Sequence, residues 1–226
     1  MTDSMFSLLD DPLLSVRRSN DETVELSLPE VYTGLVRDDI ASFEALQPHQ
    51  QQPWFSFLVQ AAAMAVARAD VESIPEDTGT WRRLLVELAD GSEAAWHLVV
   101  DDLSKPAFMQ PPVPEGSLDE AGYKADVPTP DNLDRLITSK THDIKRHRIQ
   151  RPKPEHWLYA VMSLQTLEGF LGRGNYGIVR MNGGFGNRPF VGLAPKLTWG
   201  SRFQRDVSVL VDHRDTIIRS NEYDAD

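Results

Sequence analysis

The hydrophobic pattern changes period twice within the first third of the chain. Leu13–Arg17 and Val24–Leu28 are short runs of alternating apolar and polar residues, separated by the polar stretch Ser19-Asn20-Asp21-Glu22. A period of two sends successive side chains to opposite faces of a strand, so the pair predicts a β-hairpin. Pro29 follows with Glu30 beside it. Proline is tolerated at a helix start because the N–H it lacks would be unpaired there, and Pro29–Val36 is therefore predicted as a short helix. Trp54–Arg68 (WFSFLVQAAAMAVAR) is apolar on nearly every face over about four turns. That predicts a buried central helix whose Phe, Leu and Met positions are core.

Further along, Trp81–Leu88 reads as a helix capped by Thr78 or Thr80 and ended by Gly91. Trp96–Val100 fits a strand or a helix continuation. Asp102–Pro130 is rich in proline, glycine and acids and is expected to be irregular. Thr129-Pro130 starts a short helix over Asp131–Ile137, and Pro154–Leu171 carries Trp157, Val161, Leu164 and Leu167 at helical spacing with Gly172 as its stop. Phe190–Leu193 and Val207–Val211 are expected as strands. The sum is an α+β chain, with mixed helices, short antiparallel strands and long irregular loops. It lacks the βαβ alternation of a Rossmann or barrel fold, and no internal repeat is present.

Composition narrows the class without deciding it. With 226 residues, 41% hydrophobic and 25% charged, the chain suits a folded domain. No apolar run approaches the roughly 18 residues that span a bilayer. The opening MTDSMFSLLDD is acidic where a secretory leader is basic, so a cytoplasmic protein is expected, with no membrane partner. The absence of cysteine excludes disulfides, thiolate metal sites and a cysteine nucleophile.

Charge is more informative, because it reverses sharply. Residues 1–138 carry 9 Lys and Arg against 25 Asp and Glu, whereas residues 139–205 carry 12 against 3. The tail, 206–226, is acidic again. Phosphate backbones respond to local charge and not to the chain average of −11, so the middle block is a candidate nucleic-acid face. A basic face paired with the chain's own acidic half is the competing explanation.

Two segments of that block stand out. Ser139–Lys153 (SKTHDIKRHRIQRPK) holds six Lys or Arg and two His against one acid, Asp143. Such a loop can lay several cations along phosphates and still offer His142 or Lys140 to a base edge, and Lys140, Thr141, His142, Lys145, Arg146 and Arg148 are its candidate DNA-binding residues. Gly172–Arg188 (GRGNYGIVRMNGGFGNR) has six glycines and three arginines in 17 residues. Gly172, Gly174 and Gly177 let the main chain approach a ligand closely. Its arginines offer guanidinium groups and Asn175, Asn182 and Asn187 add base-edge or sugar hydrogen-bonding capacity; Arg173, Asn175, Tyr176 and Arg180 join the glycines as candidate DNA-binding residues. The echo of a GxGxxG motif fails its context, since it follows a helix and no βαβ unit surrounds it. His142, His147 and His156 lack metal-ligand spacing, and Asp143 has no second acid nearby to hold magnesium. No catalytic constellation is found, so no enzymatic activity, cofactor or metal is expected. A metal-dependent nuclease using His142, Asp143 and His147 stays as the minor alternative, and an RNA-binding structural subunit as the other.

Several motifs resemble the N-terminal region of CasA, the large subunit of the type I-E CRISPR Cascade complex. Phe6-Ser7-Leu8-Leu9-Asp10-Asp11-Pro12-Leu13-Leu14-Ser15-Val16-Arg17 is similar to that family's opening, although its tryptophan is replaced near Leu13 or Leu14. Ser27-Leu28-Pro29-Glu30-Val31-Tyr32 resembles the strand-then-helix that follows, and Trp54–Arg68 the first long apolar helix. Pro106-Ala107-Phe108-Met109-Gln110 is similar to a proline-phenylalanine-methionine-glutamine motif, with one residue inserted. Thr138–Arg148 then falls where the family has the loop that touches the protospacer-adjacent motif. Gly172–Gly186 falls at its glycine loop, with either Gly172/Gly174/Gly177 or Gly183/Gly184/Gly186 as the inserting segment. The resemblance covers this whole chain as one domain, but only about half of a typical member, whose C-terminal helical bundle lies beyond it.

That resemblance implies a non-catalytic subunit of an RNA-guided complex. It would read the motif from the minor groove of double-stranded target DNA, help open the duplex and dock a recruited nuclease-helicase. Its partners would be the DNA, the other CRISPR complex subunits and that nuclease-helicase.

Overall fold

The computed structural model describes residues 6–71, 73–123, 127–133, 149–166 and 198–221. The fold is α+β: a three-stranded antiparallel sheet accompanied by helices and long irregular connections. The chain forms two compact units, one from Leu14–Glu44, Phe55–Ser92 and Leu193–Asp226, the other from Met1–Leu13, Ala45–Trp54 and Glu93–Gly192. Among the described residues, no helix is long and apolar enough to cross a membrane.

The first unit holds the sheet. Strands β1 (Leu14–Arg18) and β2 (Thr23–Leu26) form the expected hairpin, pairing Leu14 with Leu26 and Val16 with Val24. Its turn places Asp21 at φ 67°, a left-handed conformation that aspartate tolerates well. Strand β3 (Ile40–Phe43) adds to the other edge of β1, giving the order β2-β1-β3, with a register shift at Arg17/Arg18. Leu14 and Val16 are fully buried on this sheet.

Helix α1 (Leu28–Val36) starts one residue before the expected proline. The Glu30 carboxylate accepts hydrogen bonds from the Ser27 N–H at 2.7 Å and hydroxyl at 2.8 Å, closing the first turn. Its buried Tyr32 stacks on Trp81 with ring centroids 4.6 Å apart and also meets Phe203 at 5.8 Å. Burial pushes the Tyr32 phenol well above its ordinary range. Helix α2 spans Gln51–Arg68; Leu58 and Val59 are core, but Met64 is 58% exposed, so the methionine expected inside faces out.

Helix α3 (Thr78–Leu88) is capped by Asp77, not by Thr78 or Thr80: its carboxylate accepts the Thr80 N–H at 2.8 Å. Aspartate's short acceptor arm makes it at least as good a cap as threonine, and it stands one position earlier. Gly91 ends the helix as expected, at φ +83° with its N–H bonded to the Val86 carbonyl.

The strand expected over Val207–Val211 is a helix. Its valines alternate over five residues, but Phe203 and Val207 follow Trp199 at four-residue spacing, and the longer period wins. The last long helix runs Trp199–Asp212, capped by Thr198. Phe203 and Val207 are fully buried, whereas Val209 is half exposed. A strand would have put Val207 and Val209 on one face. Burial of each such side chain stabilises by about 1.5–3 kcal/mol, enough to override local β-propensity. A shorter helix, Arg214–Asn221, follows. The Phe190–Leu193 strand expectation lies outside the described residues.

The start of the Trp199–Asp212 helix is locked to the end of α1. The Asp38 carboxylate accepts bonds from the Ser201 N–H and hydroxyl, both at 3.1 Å, and from the Thr198 hydroxyl. Partial burial alone would raise the Asp38 pKa, but these bonds outweigh it and hold the group below the usual carboxylate range. Trp199 packs edge-on against Phe43 and Phe55, and the Arg202 guanidinium sits 3.9 Å from the Phe55 ring centroid.

In the second unit, the described residues between 97 and 129 form no helix or extended strand, in keeping with the expectation over Asp102–Pro130. Residues Glu93–Trp96 form a 3-10 turn, and His97 then makes a single antiparallel bridge to Ser7 where a strand or helix was expected. The Pro106–Gln110 motif folds into a tight turn, closed by Ala107 and Gln110 exchanging backbone bonds, with Met109 at φ 53°. Phe108 is buried and stacks on Trp96 with centroids 5.7 Å apart, while the Gln110 amide donates to the Leu98 carbonyl at 3.0 Å. The motif is thus an architectural clamp on the segment that pairs with the chain's start.

Candidate nucleic-acid interface

Every residue singled out for nucleic-acid contact lies outside the described residues: Lys140, Thr141, His142, Lys145, Arg146 and Arg148 in the first basic segment, and Gly172, Arg173, Gly174, Asn175, Tyr176, Gly177 and Arg180 in the second. What the structure does describe is how the chain enters and leaves the first segment, and the helix from which the second departs.

The entry is helix α4 (Pro130–Leu133), the described part of the helix expected over Asp131–Ile137. Thr129 starts it, its hydroxyl bonding the Asn132 side chain at 2.7 Å. Asp131 is 1% exposed, and its carboxylate accepts the Ile149 N–H at 2.9 Å. One hydrogen bond therefore joins two residues that flank Lys140, Lys145, Arg146 and Arg148 in sequence. An acid in the first turn reads from sequence as a helix cap, so nothing in the residue order pointed to Ile149.

The exit leads into the helix α5 (Pro154–Thr166), the described part of the Pro154–Leu171 expectation. Pro154 sits at its start and Glu155 in its first turn, where a negative charge complements the helix dipole. The Lys153 N–H donates to His156 Nδ1 at 2.9 Å, a cap in which imidazole replaces the usual Glu or Gln. The helix is buried on most sides through Leu158, Tyr159, Met162 and Leu164. Tyr159 packs edge-on to Trp54 at 5.2 Å, and the Gln165 amide donates to the Met109 carbonyl at 3.0 Å. The helix that lies between the two basic segments in sequence is thus well buried and bonded to the Pro106–Gln110 turn.

His156 can accept from Lys153 only while Nδ1 is unprotonated. Burial lowers its pKa first, Lys153 adds to the effect, and Glu155 and Asp131 oppose it, the net being below the ordinary 6.5. Because the folded pKa is depressed, the cap's contribution is complete above about pH 6.5 and is lost as pH falls through the folded value. The Lys153 amide is accordingly expected to lose hydrogen-exchange protection between pH 7 and pH 5, and His156→Gln to flatten that dependence. Protection that stays constant across this range in the native chain contradicts the assignment.

Among the described residues, no group of three or more His, Cys, Asp or Glu is placed to hold a metal ion. An apolar cleft of about 400 Å³ opens beside α5. Its lining includes Phe6, Phe108, Leu133, Lys153, Trp157 and Val161.

No family model matches the sequence, and no curated protein matches it. Among solved structures, the crystal structure of Thermobifida fusca Cse1 is similar, with a TM-score of 0.43 and 14% sequence identity. The match covers 73% of this chain and 30% of that chain. At that score and identity the likeness establishes neither family nor function.

Proposed function

We propose that this chain is the DNA-reading part of a CRISPR RNA-guided surveillance complex, a CasA-like large subunit or its N-terminal portion, acting in the cytoplasm without catalysis of its own. The observation that carries the reading is the reversal of charge at residue 139: a net of −16 before it and +9 over residues 139–205. The Asp131–Ile149 hydrogen bond supports it, since it brings together two residues that flank Lys140, Lys145, Arg146 and Arg148 in sequence. The Pro106–Gln110 turn supports it as well, because the motif on which the resemblance rests anchors the helix between the two basic segments.

In this reading Lys140, Lys145, Arg146 and Arg148 hold phosphates, with Thr141 and His142 near the groove. The glycines at 172, 174 and 177 let main chain enter a minor groove about 6 Å wide, with Arg173, Asn175, Tyr176 and Arg180 around it. Minor-groove readout is degenerate, which suits a receptor that tolerates several flanking motifs while guide pairing supplies specificity. The acidic first part of the chain is then free for protein partners, namely other complex subunits and the recruited nuclease-helicase.

Salt dependence tests the phosphate role. Substituting alanine at Lys140, Lys145, Arg146 and Arg148 together is expected to reduce the slope of log affinity against log salt by up to about 3–4 for duplex DNA. Duplex binding whose slope is unchanged in that variant would assign the segment a structural role.

A further inference from the structure

We propose that one buried water joins the Asp131 carboxylate to the His156 imidazole and so ties α4 to the start of α5. This bridge is independent of what the chain binds.

The carboxylate sets the requirement. Asp131 is 1% exposed, and its Oδ2 accepts the Ile149 N–H. Its Oδ1 is buried too, and finds no hydrogen-bond partner among the described residues. A buried acceptor left unpaired forfeits its hydration, which lowers a folding equilibrium by a factor of about 5–150. Such groups are therefore nearly always satisfied, by protein or by ordered water. A cavity of about 10 Å³ lies against Gln50, Asp131, Ile149, His156 and Ala160, all within the second unit. That is close to the roughly 10–15 Å³ that admits a single water, and too small for a larger ligand. A metal ion is a poor occupant, since Asp131 is the only carboxylate among the described residues lining the cavity.

His156 supplies the second anchor. Its Nδ1 accepts the Lys153 N–H, so the neutral ring carries its proton on Nε2. That second N–H is a donor on the far side of the ring from Lys153. The two groups are near enough to interact: burial lowers the His156 pKa, and the Asp131 charge is among the effects that oppose it. A water between them accepts from Nε2 and donates to Asp131 Oδ1, giving each group a partner of the opposite sense. Asp131 then acts as a positioning residue, with Ile149 held on one oxygen and the start of α5 on the other.

Hydrogen exchange of the Ile149 amide in the full chain tests the bridge. His156→Leu removes the Nε2 donor and is expected to speed that exchange about 5- to 150-fold. In an Asp131→Asn background the side-chain carbonyl can still accept the Ile149 N–H, but the charge that the bridge serves is gone. There the same His156 substitution is expected to change the exchange by less than about 2-fold. Equal acceleration in both backgrounds would assign His156 a capping role alone and overturn the proposal. Should either variant fail to fold, a high-resolution crystal structure of the native chain decides. One water within about 3.2 Å of both Asp131 Oδ1 and His156 Nε2 is the expected result. A water that reaches only one of them, or a direct bond between the two side chains, would overturn it.

Discussion

Gly200→Ala is expected to destabilise the sheet-bearing unit by roughly 3 kcal/mol, toward the upper end of what overpacking costs. A Cβ at this position would lie 2.3 Å from the Leu35 carbonyl oxygen and 2.6 Å from the Asp38 Cα. Both are main-chain atoms at the end of α1, so no rotamer change relieves the clash. The helix start must move away, and in moving it gives up the bonds from Thr198 and Ser201 to Asp38. In a chain of this length the loss corresponds to a drop of about 6–12 °C in melting temperature. Gly79→Ala is the control: the nearest atom to its Cβ would be Asp77 Oδ1 at 3.4 Å, and alanine at a helical position is neutral or mildly stabilising. Equal melting temperatures for the two variants would contradict the packing of this helix on α1.

Trp81→Ala is expected to cost about 3–5 kcal/mol, a large share of the 5–15 kcal/mol that typically separates folded from unfolded chains. The indole is fully buried, lies face to face with Tyr32 and donates its N–H to the Pro75 carbonyl at 2.9 Å. Alanine leaves a cavity and an unpaired carbonyl as well as losing the transfer free energy. Trp81→Phe keeps most of the apolar contact and loses the hydrogen bond, so it should recover roughly half of the loss. Urea denaturation measures both. A cost below about 1 kcal/mol for the alanine variant would mean that α1 and α3 do not share this core.

The elements that sequence made legible are those whose stability is local. The β1–β2 hairpin alternates and has its own polar turn. Helix α1 carries a proline in its first turn, and α2 is apolar for most of its length. The misses have non-local causes. Strand β3 is four residues of ordinary composition and exists because β1 has an open edge for it. The helix beginning at Trp199 hides behind three alternating valines, and only the buried partners on α1 reveal which period counts.

At the candidate interface, composition exposed the charge but not the mounting. Asp131 bonding Ile149 and His156 capping Lys153 are contacts between residues with no signature of their own. Nor does residue order show that the Pro106–Gln110 turn grips α5. That link joins Gln165 to Met109 across 56 positions.

In the proposed function this chain reads a flanking motif on target duplexes. Its most direct test is binding of the assembled guide-RNA complex to duplexes with randomised flanking sequences, with this chain present and absent. Native chain is compared with a variant in which Lys140, His142 and Arg173 are alanine. Motif-dependent binding is expected only when the chain is present, and it should weaken in the variant. Motif dependence that persists without the chain would contradict the claim and assign the basic segments to structure or to RNA.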